Sequence, residues 1–491
     1  MSSPVAEYIA ALLNAEALSA EIADHRIMPS EAARHADGVR QWPRAVADVI
    51  ARQGIEKLYT HQARACDLVR AGRHVLAATP TASGKSMIYN LPVLERCLAN
   101  PDTRALYLFP LKALAQDQKA ALERLTAHWP EEARVKADIY DGDTSSYFRQ
   151  KIRKNPPHAL LTNPEMLHLA LLPFHENWAE FWAGLDSVVV DEVHTYRGLL
   201  GSHMAQLFTR LRRVCRHYGS DPAFVMCSAT IGNPGELAES LTGLKCELVT
   251  ESGAPRGKRH FVFLDPAGSP STVAIQLLKS ALARGLRTIV YCQSRRMTEL
   301  ISMWAGDKAG PYKDRISAYR AGFLPEERRD IEARMERGEL LAVISTSALE
   351  LGIDIGGLDL CILVGYPGTV MSFMQRGGRV GRQGQESAVL FVAQEDALDQ
   401  HFIREPEDFF SRPPEQAVLN PYNPVIMGRH LPCAAAELPI REDEAWFTPE
   451  VKEQAEKQVL AGELLRSACG KVYYSARKRP QRHVDLRGSG S

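Results

Sequence analysis

Short runs of apolar residues alternate with longer, helix-forming stretches along most of this chain, in two blocks. The first block contains HVLAAT (74–79), RALYLFP (104–110), HALLTN (158–163), DSVVVDE (186–192) and FVMCSAT (224–230). The second block contains RTIVYCQS (287–294), RISAYR (315–320), LLAVIST (340–346), LDLCILVG (358–365) and AVLFVA (388–393). Near-continuous apolar strands separated by helices are typical of a parallel sheet that helices cover on both faces. The pattern therefore predicts an α/β fold with two parallel-sheet domains in series.

The stretches outside these blocks divide the chain further. The Ala/Leu-rich PVAEYIAALLNA and the Ser30-capped SEAARHADGV predict a helical N-terminal segment. The polar segment TESGAPRGKRH (250–260) is typical of an interdomain linker. Beyond about residue 410 the pattern changes to shorter helical pieces. We therefore expect four segments, at 1–54, 55–250, 251–410 and 411–491.

Length and composition narrow the class of protein. A chain of 491 residues is too long for one ordinary hydrophobic core. The 59 basic and 59 acidic side chains leave no net charge, so any nucleic-acid binding must come from local patches. No apolar run reaches the roughly 18 residues that span a membrane, and the N-terminus lacks the basic start of a signal peptide. The nine cysteines form no CxxC pair, which predicts reduced thiols in a cytoplasmic protein without zinc.

A phosphate-binding loop is indicated where the first strand, HVLAAT, runs into PTASGKS and a helix-forming stretch. Ligands bind such sheets at the carboxyl ends of strands, and backbone N–H groups at a helix N-terminus favour an anion. We expect Lys85 to place a positive charge on the β- and γ-phosphates and the Ser86 hydroxyl to hold Mg²⁺. Thr79 stands where the full motif has its first glycine, and a simple turn with a surface lysine is the alternative.

Two acids follow the apolar strand that ends in VVV, where a buried carboxylate is unfavourable unless it is paired or binds a metal. We expect Asp191 to orient the Mg²⁺ shell and Glu192 to position and deprotonate the attacking water. His194 could couple the nucleotide site to the second domain, and so could the hydroxyls of Ser228 and Thr230 at another strand end. The alternatives are a solvated strand end for the acids, a hydrogen-bonded histidine, and an ordinary small-residue strand end.

The second block adds two arginines to this site. QRGGRVGR (375–382) places Arg379 and Arg382 three residues apart, so on a helix they share one face. Arginines delivered across a domain interface can stabilise the charge that develops on a γ-phosphate. STSALELGIDI ends another strand, and its Gly352 and Asp354 could contact ribose or relay the domain position. Ordinary surface arginines are the alternative.

These stretches, in this order, resemble the motifs of a superfamily 2 DExH-box helicase. YTHQ (59–62) resembles the Q motif, TPTASGKS motif I, DEVH motif II, SAT motif III and QRGGRVGR motif VI. The resemblance implies tandem RecA-like domains and a nucleic-acid-dependent ATPase that uses ATP and Mg²⁺. The nucleotide-binding candidates are Tyr59, Gln62 (reading adenine), Thr79, Thr81, Ala82, Ser83, Gly84, Lys85, Ser86, Gly352, Asp354 and Gln375. The catalytic candidates are Lys85, Asp191, Glu192, Arg379 and Arg382.

Three longer stretches narrow the resemblance: TNPEMLH (162–168), DEVHTYRGLLGSH (191–203) and PYNPVIMGRHLPCAAAELPI (421–440). They resemble the mitomycin repair factor A family of bacterial helicases and its yeast Hrq-type, RecQ4-like relative. That resemblance implies a 3′-to-5′ DNA helicase that repairs crosslinks and bulky lesions, with a four-cysteine zinc domain at the C-terminus. This chain has no clustered cysteines, so no zinc is predicted. Its 411–491 region is expected to be a truncated accessory region of winged-helix type.

A single strand is expected to cross both domains. PLKALAQDQ (110–118) and TNPEM (162–166) resemble motifs Ia and Ib. The candidate nucleic-acid contacts are Lys112, Thr162 and Asn163 in the first domain and Gln293, Ser294, Arg295, Thr346 and Ser347 in the second. Hydroxyls and backbone N–H groups fix register without reading sequence, so binding should be salt-dependent and little affected by base sequence. RQKIRK (149–154) could add a basic rim, with a solvated helix face as the alternative.

Three functions remain open at this point. The first is an ATP-driven monomeric motor on single-stranded, tailed or forked DNA. The second keeps the motor on RNA, because the superfamily motifs do not separate the two nucleic acids. The third is a non-catalytic nucleic-acid clamp, which the intact catalytic candidates disfavour.

Overall fold

The computed structural model describes residues 3–308, 310–319, 325–346, 357–382 and 384–488. The chain divides into two compact units, described separately below. The first unit contains residues 35–79, 84–251 and 416–491, and the second contains 1–34, 80–83 and 252–415. Among the described residues, no helix is both long enough and apolar enough to cross a membrane.

The strands of the described residues are labelled in chain order. They are β1 Ile22–Met28, β2 Val75–Ala78, β3 Arg104–Leu108, β4 Ala137–Ile139, β5 Ala159–Thr162, β6 Leu185–Val190, β7 Ala223–Ser228, β8 Glu247–Val249, β9 Arg259–Leu264, β10 Thr288–Cys292, β11 Ile316–Tyr319, β12 Ala342–Ser345, β13 Leu360–Val364, β14 Ser387–Val392, β15 Ile440–Arg441, β16 Leu464–Arg466 and β17 Val472–Ser475.

The helices are labelled in the same way. They are α1 Pro4–Asn14, α2 Glu16–Ser19, α3 Arg44–Arg52, α4 Thr60–Arg70, α5 Ser86–Ala99, α6 Lys112–Thr126, α7 Ser146–Lys154, α8 Pro164–Met166, α9 Ala179–Ala183, α10 Gly198–His217, α11 Pro234–Thr242, α12 Pro270–Ala283, α13 Arg295–Lys308, α14 Pro325–Glu336, α15 Val370–Gly377, α16 Ala397–Arg404, α17 Pro406–Ser411, α18 Pro424–Glu437 and α19 Pro449–Leu460.

The first unit is built on a parallel sheet with the strand order β4-β5-β3-β6-β7-β2-β8. Strands β2, β5 and β7 are buried along their whole length, which is why their sequences are continuously apolar rather than alternating. The five strands predicted in this part of the sequence are all present. Their carboxyl ends lie at one edge of the sheet, so the residues that follow β2, β6 and β7 meet there.

The second unit contains a sheet with the order β1-β9-β14-β13-β10-β12-β11. Its pairs are parallel except that β1 runs antiparallel to β9. The five strands predicted here are also present. Strand β9 begins within the segment that the sequence analysis assigned to a linker, so the linker prediction was wrong for residues 259–260.

The N-terminal segment differs from the expected run of helices. Residues 4–14 and 44–52 are helical, as predicted. Residues 22–28 form β1, and the Ser30-capped helix predicted within residues 30–39 is absent from the described structure. The strand pairs with β9 from Ile22 to Met28, so a contact far away in sequence decided its conformation.

The C-terminal region of the first unit combines α18, α19 and the antiparallel sheet β15-β17-β16. A small core of buried apolar side chains, including Met427, Leu431 and Tyr473, holds these elements together. Buried polar contacts also join α18 to α10. The Arg210 guanidinium donates from Nε to both carboxylate oxygens of Glu437, at 3.0 and 3.2 Å.

Candidate active site

The loop between β2 and α5 has the backbone geometry of a tight phosphate-binding turn. Ala82 and Gly84 have φ angles of 62° and 75°, in the left-handed region. Lys85 donates from Nζ to the Thr79 carbonyl at 2.9 Å, which folds the side chain back along the loop. Helix α5 begins at Ser86, and the first N–H groups of a helix have no partner within it. Loop and helix start can therefore bind an anion.

Gln62 supports this loop from α4. Its side chain is buried, accepts from the Tyr59 backbone N–H at 3.0 Å and donates from Nε2 to the Gly84 carbonyl at 2.9 Å. A Cβ atom at position 84 would lie 2.5 Å from Gln62 Nε2. A side chain at position 84 would therefore have to displace the Gln62 amide, and the left-handed φ also favours glycine. The adenine-reading role of Gln62 stays a prediction.

Asp191 follows β6 directly and is half-buried. Its carboxylate accepts from the Glu192 backbone N–H at 2.9 Å and from the Tyr89 hydroxyl at 3.2 Å. Burial first, and then the neighbouring Glu192 carboxylate, raise the pKa of Asp191, and the positive charge of Lys85 opposes this. A divalent cation would offset the same two effects, and carboxylate and hydroxyl oxygens are ligands that Mg²⁺ prefers. The surroundings of the Asp191 carboxylate therefore fit a magnesium ligand, and the role of the Ser86 hydroxyl stays a prediction.

Glu192 has an unusual backbone for a residue with a side chain. Its φ of 51° and ψ of 40° lie in the left-handed region. Such a conformation costs on the order of 1 kcal/mol or more and persists only where the surroundings impose it. Thr195 holds the turn by donating from its hydroxyl to the Glu192 carbonyl at 2.8 Å. The strained backbone of Glu192 indicates that its position matters for function.

His194 joins the end of β6 to the end of β7. Its buried ring accepts at Nδ1 from the Ala229 backbone N–H at 3.2 Å, and the Ser228 hydroxyl lies 3.4 Å from the same nitrogen. Because Nδ1 accepts, we assign the proton of the neutral ring to Nε2. The Glu192 carboxylate lies 3.5 Å from Nδ1. His194 therefore contacts one candidate acid, Glu192, and one candidate hydroxyl, that of Ser228. The other hydroxyl candidate, Thr230, is exposed.

The candidate arginines of the second unit, Arg379 and Arg382, do not lie on a helix as expected. Helix α15 ends at Gly377, and the turn that follows carries Arg379 and Arg382. The prediction that both arginines share a helix face was therefore wrong. Arg379 and Gln375 are buried and Arg382 is half-buried. The predicted sites at Ser347, Gly352 and Asp354 lie outside the described residues.

The predicted nucleic-acid contacts of the first unit have protein partners. Lys112 Nζ lies 2.8 Å from Asp143 Oδ1 and stays about half exposed, at 49% of its side chain. Asn163 caps α8 by accepting from the Met166 backbone N–H at 2.9 Å. Thr162 is buried and donates from its hydroxyl to the Tyr140 carbonyl at 2.6 Å. A nucleic-acid contact from Thr162 would therefore have to come from its backbone.

In the second unit, Gln293 and Ser294 follow β10 and are exposed. Gln293 donates to the Tyr366 carbonyl at 3.3 Å, and the Ser294 hydroxyl accepts from the Met297 backbone N–H at 3.1 Å. Thr346 follows β12 and is half-buried. Arg295 begins α13, and its side chain lies outside the described part of the structure.

Sequence reasoning missed two positioning residues. Tyr89 donates to Asp191, and it lies one helical turn after Lys85, a spacing that could have indicated it. Glu415 accepts from the backbone N–H groups of Val370 and Met371 at the start of α15. Glu415 lies far from α15 in sequence, and no local pattern marks it.

Comparison with known proteins agrees with this arrangement. The DEAD/DEAH box helicase family matches residues 59–237, and the helicase conserved C-terminal domain matches residues 272–384. The winged helix domain of ATP-dependent helicase HRQ1 matches residues 419–489. The fold and the site thus define a DEAD/DEAH box helicase core of two RecA-like domains, followed by a winged-helix domain.

Individual relatives show to which helicases the chain is similar in sequence and structure. An uncharacterized ATP-dependent helicase of Bacillus subtilis, YprA, is 43% identical over 487 residues, covering 95% of this chain and 63% of that protein. ATP-dependent helicase HRQ1 of Saccharomyces cerevisiae is 38% identical over 416 residues, covering 80% of this chain and 38% of that protein. A crystal structure of DUF1998 helicase MrfA bound to DNA and AMPPNP is 41% identical with a TM-score of 0.92, covering 98% of this chain and 68% of that one.

The chain belongs to the helicase family that includes MrfA and HRQ1, as its sequence indicated. It spans less than two thirds of the length of the first two relatives.

Proposed function

We propose that the chain is an ATP-driven DNA helicase and translocase. The observation that carries the proposal is the Asp191–Glu192 pair at the carboxyl end of β6. Asp191 is held by the Tyr89 hydroxyl, Lys85 offsets its charge, and Glu192 is fixed in a strained backbone conformation. A clamp that only binds nucleic acid would not need this arrangement. MrfA has been crystallised with DNA and with AMPPNP, which favours ATP and DNA over the RNA alternative.

The residues of the first unit divide the work as follows. Lys85 and the loop N–H groups bind the β- and γ-phosphates, and Ser86 and Asp191 hold Mg²⁺. The metal, when bound, neutralises charge on the phosphates. Glu192 orients the attacking water and accepts its proton. From the second domain, Arg379 and Arg382 stabilise the charge that develops on the γ-phosphate, with the remaining predicted residues contacting the nucleotide.

DNA follows the predicted strand contacts of both domains. Lys112, Asn163, Gln293 and Ser294 are exposed or half-buried and can reach a phosphate backbone. We propose domain boundaries at 54, 250 and 410, a monomeric motor, and a bacterial cytoplasmic location. We also propose 3′-to-5′ movement in the repair of crosslinked or bulky-adduct DNA, on single-stranded, tailed or forked substrates.

The decisive test is Glu192→Gln in an ATPase assay with saturating single-stranded DNA. Binding of an ATP analogue should be retained, and turnover should fall by at least about 100-fold, since a positioned base contributes about 10²–10⁴-fold. Glu180 is an exposed acid of the same unit, and Glu180→Gln serves as the matched control. Normal turnover in Glu192→Gln would mean that Glu192 is not the base.

Further assays separate the alternatives. Stimulation of the ATPase by single-stranded RNA but not DNA would favour the RNA-directed motor. Nucleic-acid binding without any hydrolysis would favour the clamp. Unwinding of duplexes with either a 3′ or a 5′ single-stranded tail tests the direction, and unwinding of the 5′-tailed duplex alone would contradict the proposal.

A further inference from the structure

Helix α7 presents an exposed aromatic and basic face on the first unit. Tyr147 and Phe148 are 72% and 54% exposed, and their rings pack edge to face with centroids 5.4 Å apart. Lys151 and Lys154 are exposed, and neither forms an ion pair among the described residues. Residues four and three apart on a helix are neighbours. Tyr147, Lys151 and Lys154 therefore form one stripe, which we call the α7 stripe.

The opposite face of α7 fixes the helix on the unit. Ile152 is 5% exposed, and Arg149 donates to the Asp141 carbonyl at 2.8 Å. The Asp141 carboxylate accepts from the backbone N–H groups of Asp143 and Thr144, at 2.9 and 3.0 Å, and so closes the loop before the helix. The helix under the stripe is thus held in place by the protein, so only the exposed side chains have to be ordered when a ligand binds.

Helix α7 begins close to one of the predicted DNA contacts. Helix α7 follows β4, an edge strand parallel to β5, which in turn pairs with β3. The carboxyl ends of these strands share one edge of the sheet, where Asn163 and Lys112 also lie. Lys112 is in direct contact with Asp143 of the loop before α7. The loop that leads into α7 therefore contacts the surface on which Lys112 and Asn163 were predicted to bind a phosphate backbone, and Tyr147 lies in the first turn after that loop.

We propose that the α7 stripe binds single-stranded DNA, with a base stacked on the Tyr147 ring and phosphates bound by Lys151 and Lys154. The inference rests on the proposed function, because it extends the same DNA surface. The chemistry favours a nucleic acid with unpaired bases. Aromatic rings stack on any base, and lysines bind phosphates without reading sequence. An apolar protein partner would leave Lys151 and Lys154 without counter-charges.

The test measures binding of fluorescein-labelled oligothymidine by anisotropy over a series of salt concentrations. Tyr147→Ala should weaken binding about 5- to 150-fold, the range for loss of one stacked base. Tyr147→Phe keeps the ring and should bind like the wild type. Lys151→Ala should make the negative slope of log K against log salt shallower by about 0.7, the value for one phosphate contact on a single strand. Lys245 is exposed just before β8, at the opposite edge of the sheet, and Lys245→Ala should leave the slope unchanged.

The following results would overturn DNA binding by the α7 stripe. Equal binding by Tyr147→Ala and wild type, or equal losses in Tyr147→Ala and Tyr147→Phe, overturns the stripe while leaving the proposed function intact. A wild-type chain that neither binds oligothymidine nor shows DNA-stimulated ATPase overturns both. A loss seen with oligouridine and not with oligothymidine overturns the assignment to DNA. The melting temperature of Tyr147→Ala should match the wild type because the side chain is exposed.

Discussion

Removing the Glu437 carboxylate should release the winged-helix domain from the first RecA-like domain. The Glu437 and Arg210 side chains are each only 2% exposed. The Arg210 guanidinium also contacts ring nitrogens of His168 and His430, at 2.9 and 3.1 Å. In Glu437→Ala, the guanidinium would keep its charge and lose its only carboxylate partner among these contacts.

The expected loss of stability follows from this burial. Removing one partner of a buried ion pair is destabilising by about 3–5 kcal/mol. Glu437 is also the last residue of α18, where a negative charge is unfavourable by about 0.3–1 kcal/mol, so its removal returns that amount. The net loss is therefore about 2–5 kcal/mol. At about 2–4 °C per kcal/mol, the melting temperature should fall by about 4–20 °C.

The assay combines thermal unfolding with limited proteolysis in the region between the two domains. Asp443→Ala is the matched control, because the Arg441–Asp443 pair has side chains that are 64% and 70% exposed. Such surface pairs contribute about 0–1 kcal/mol. If Glu437→Ala and Asp443→Ala melt at the same temperature and are cleaved at the same rate, the buried pair does not hold the domain.

A double variant separates the cost of an unpaired charge from the cost of lost packing. When a buried ion pair is replaced on both sides by apolar residues, the charge left without a partner disappears. Arg210→Met combined with Glu437→Met should therefore be less destabilised than the sum of the two single variants. Additive losses would refute the explanation from burial of an unpaired charge.

Two other predictions concern acid sensitivity and the phosphate loop. Burial, and then the charge of Arg210, lower the pKa of His168 to about 3 from its ordinary 6.5, and the pKa of His430 is lowered well below its ordinary value for the same reasons. Between about pH 6.5 and 3 the unfolded chain therefore binds protons that the folded chain does not, so the free energy of unfolding should fall with falling pH, by up to about 1.4 kcal/mol per pH unit for each histidine. Urea unfolding at pH 7 and pH 5 measures this, and an unchanged midpoint would contradict it. Gly84→Ala should weaken binding of an ATP analogue at least about tenfold, since a new Cβ would meet Gln62 in a strained backbone. Gly72 has a similar φ of 73°, and no described atom lies within 4 Å of the position that a Cβ would take there, so Gly72→Ala should bind the analogue normally.

Most of the strands that were predicted correctly are buried on both faces, and their apolar composition alone identifies them. The run that ends in Val190 is apolar because both faces of β6 are covered, and its composition records that directly. Strand β1 is different, since its residues are half-buried or exposed and it joins an edge of its sheet. Its pairing with β9 exists only in the folded chain, so a helical interpretation of the local sequence was the wrong one.

In the candidate active site, too, the features contiguous in sequence were predicted and those that depend on packing were not. The phosphate loop and the acids at 191–192 were found because each is contiguous in sequence. The left-handed backbone of Glu192 and the hydrogen bond from Tyr89 depend on packing across the sheet, and no spacing rule indicates the strained backbone. The helix expected for Arg379 and Arg382 failed because α15 ends at Gly377, and Gly381 then takes a left-handed φ of 71°.

One histidine from each of the three stretches that carried the family resemblance lies in a buried cluster around Arg210. TNPEMLH ends in His168, DEVHTYRGLLGSH ends in His203, and the third stretch contains His430. Arg210 donates to Nδ1 of His168 and of His430, and His430 Nε2 lies 2.9 Å from His203 Nδ1. Because Nδ1 of His430 and of His168 accept from Arg210, each of these rings has its proton on Nε2; His430 donates it to His203 and His168 donates it to the Gln481 carbonyl. His168 and His203 lie in the first RecA-like domain and His430 lies in α18 of the winged-helix domain, so this cluster joins the two domains. Part of each stretch that carried the resemblance thus packs the winged-helix domain against the first domain.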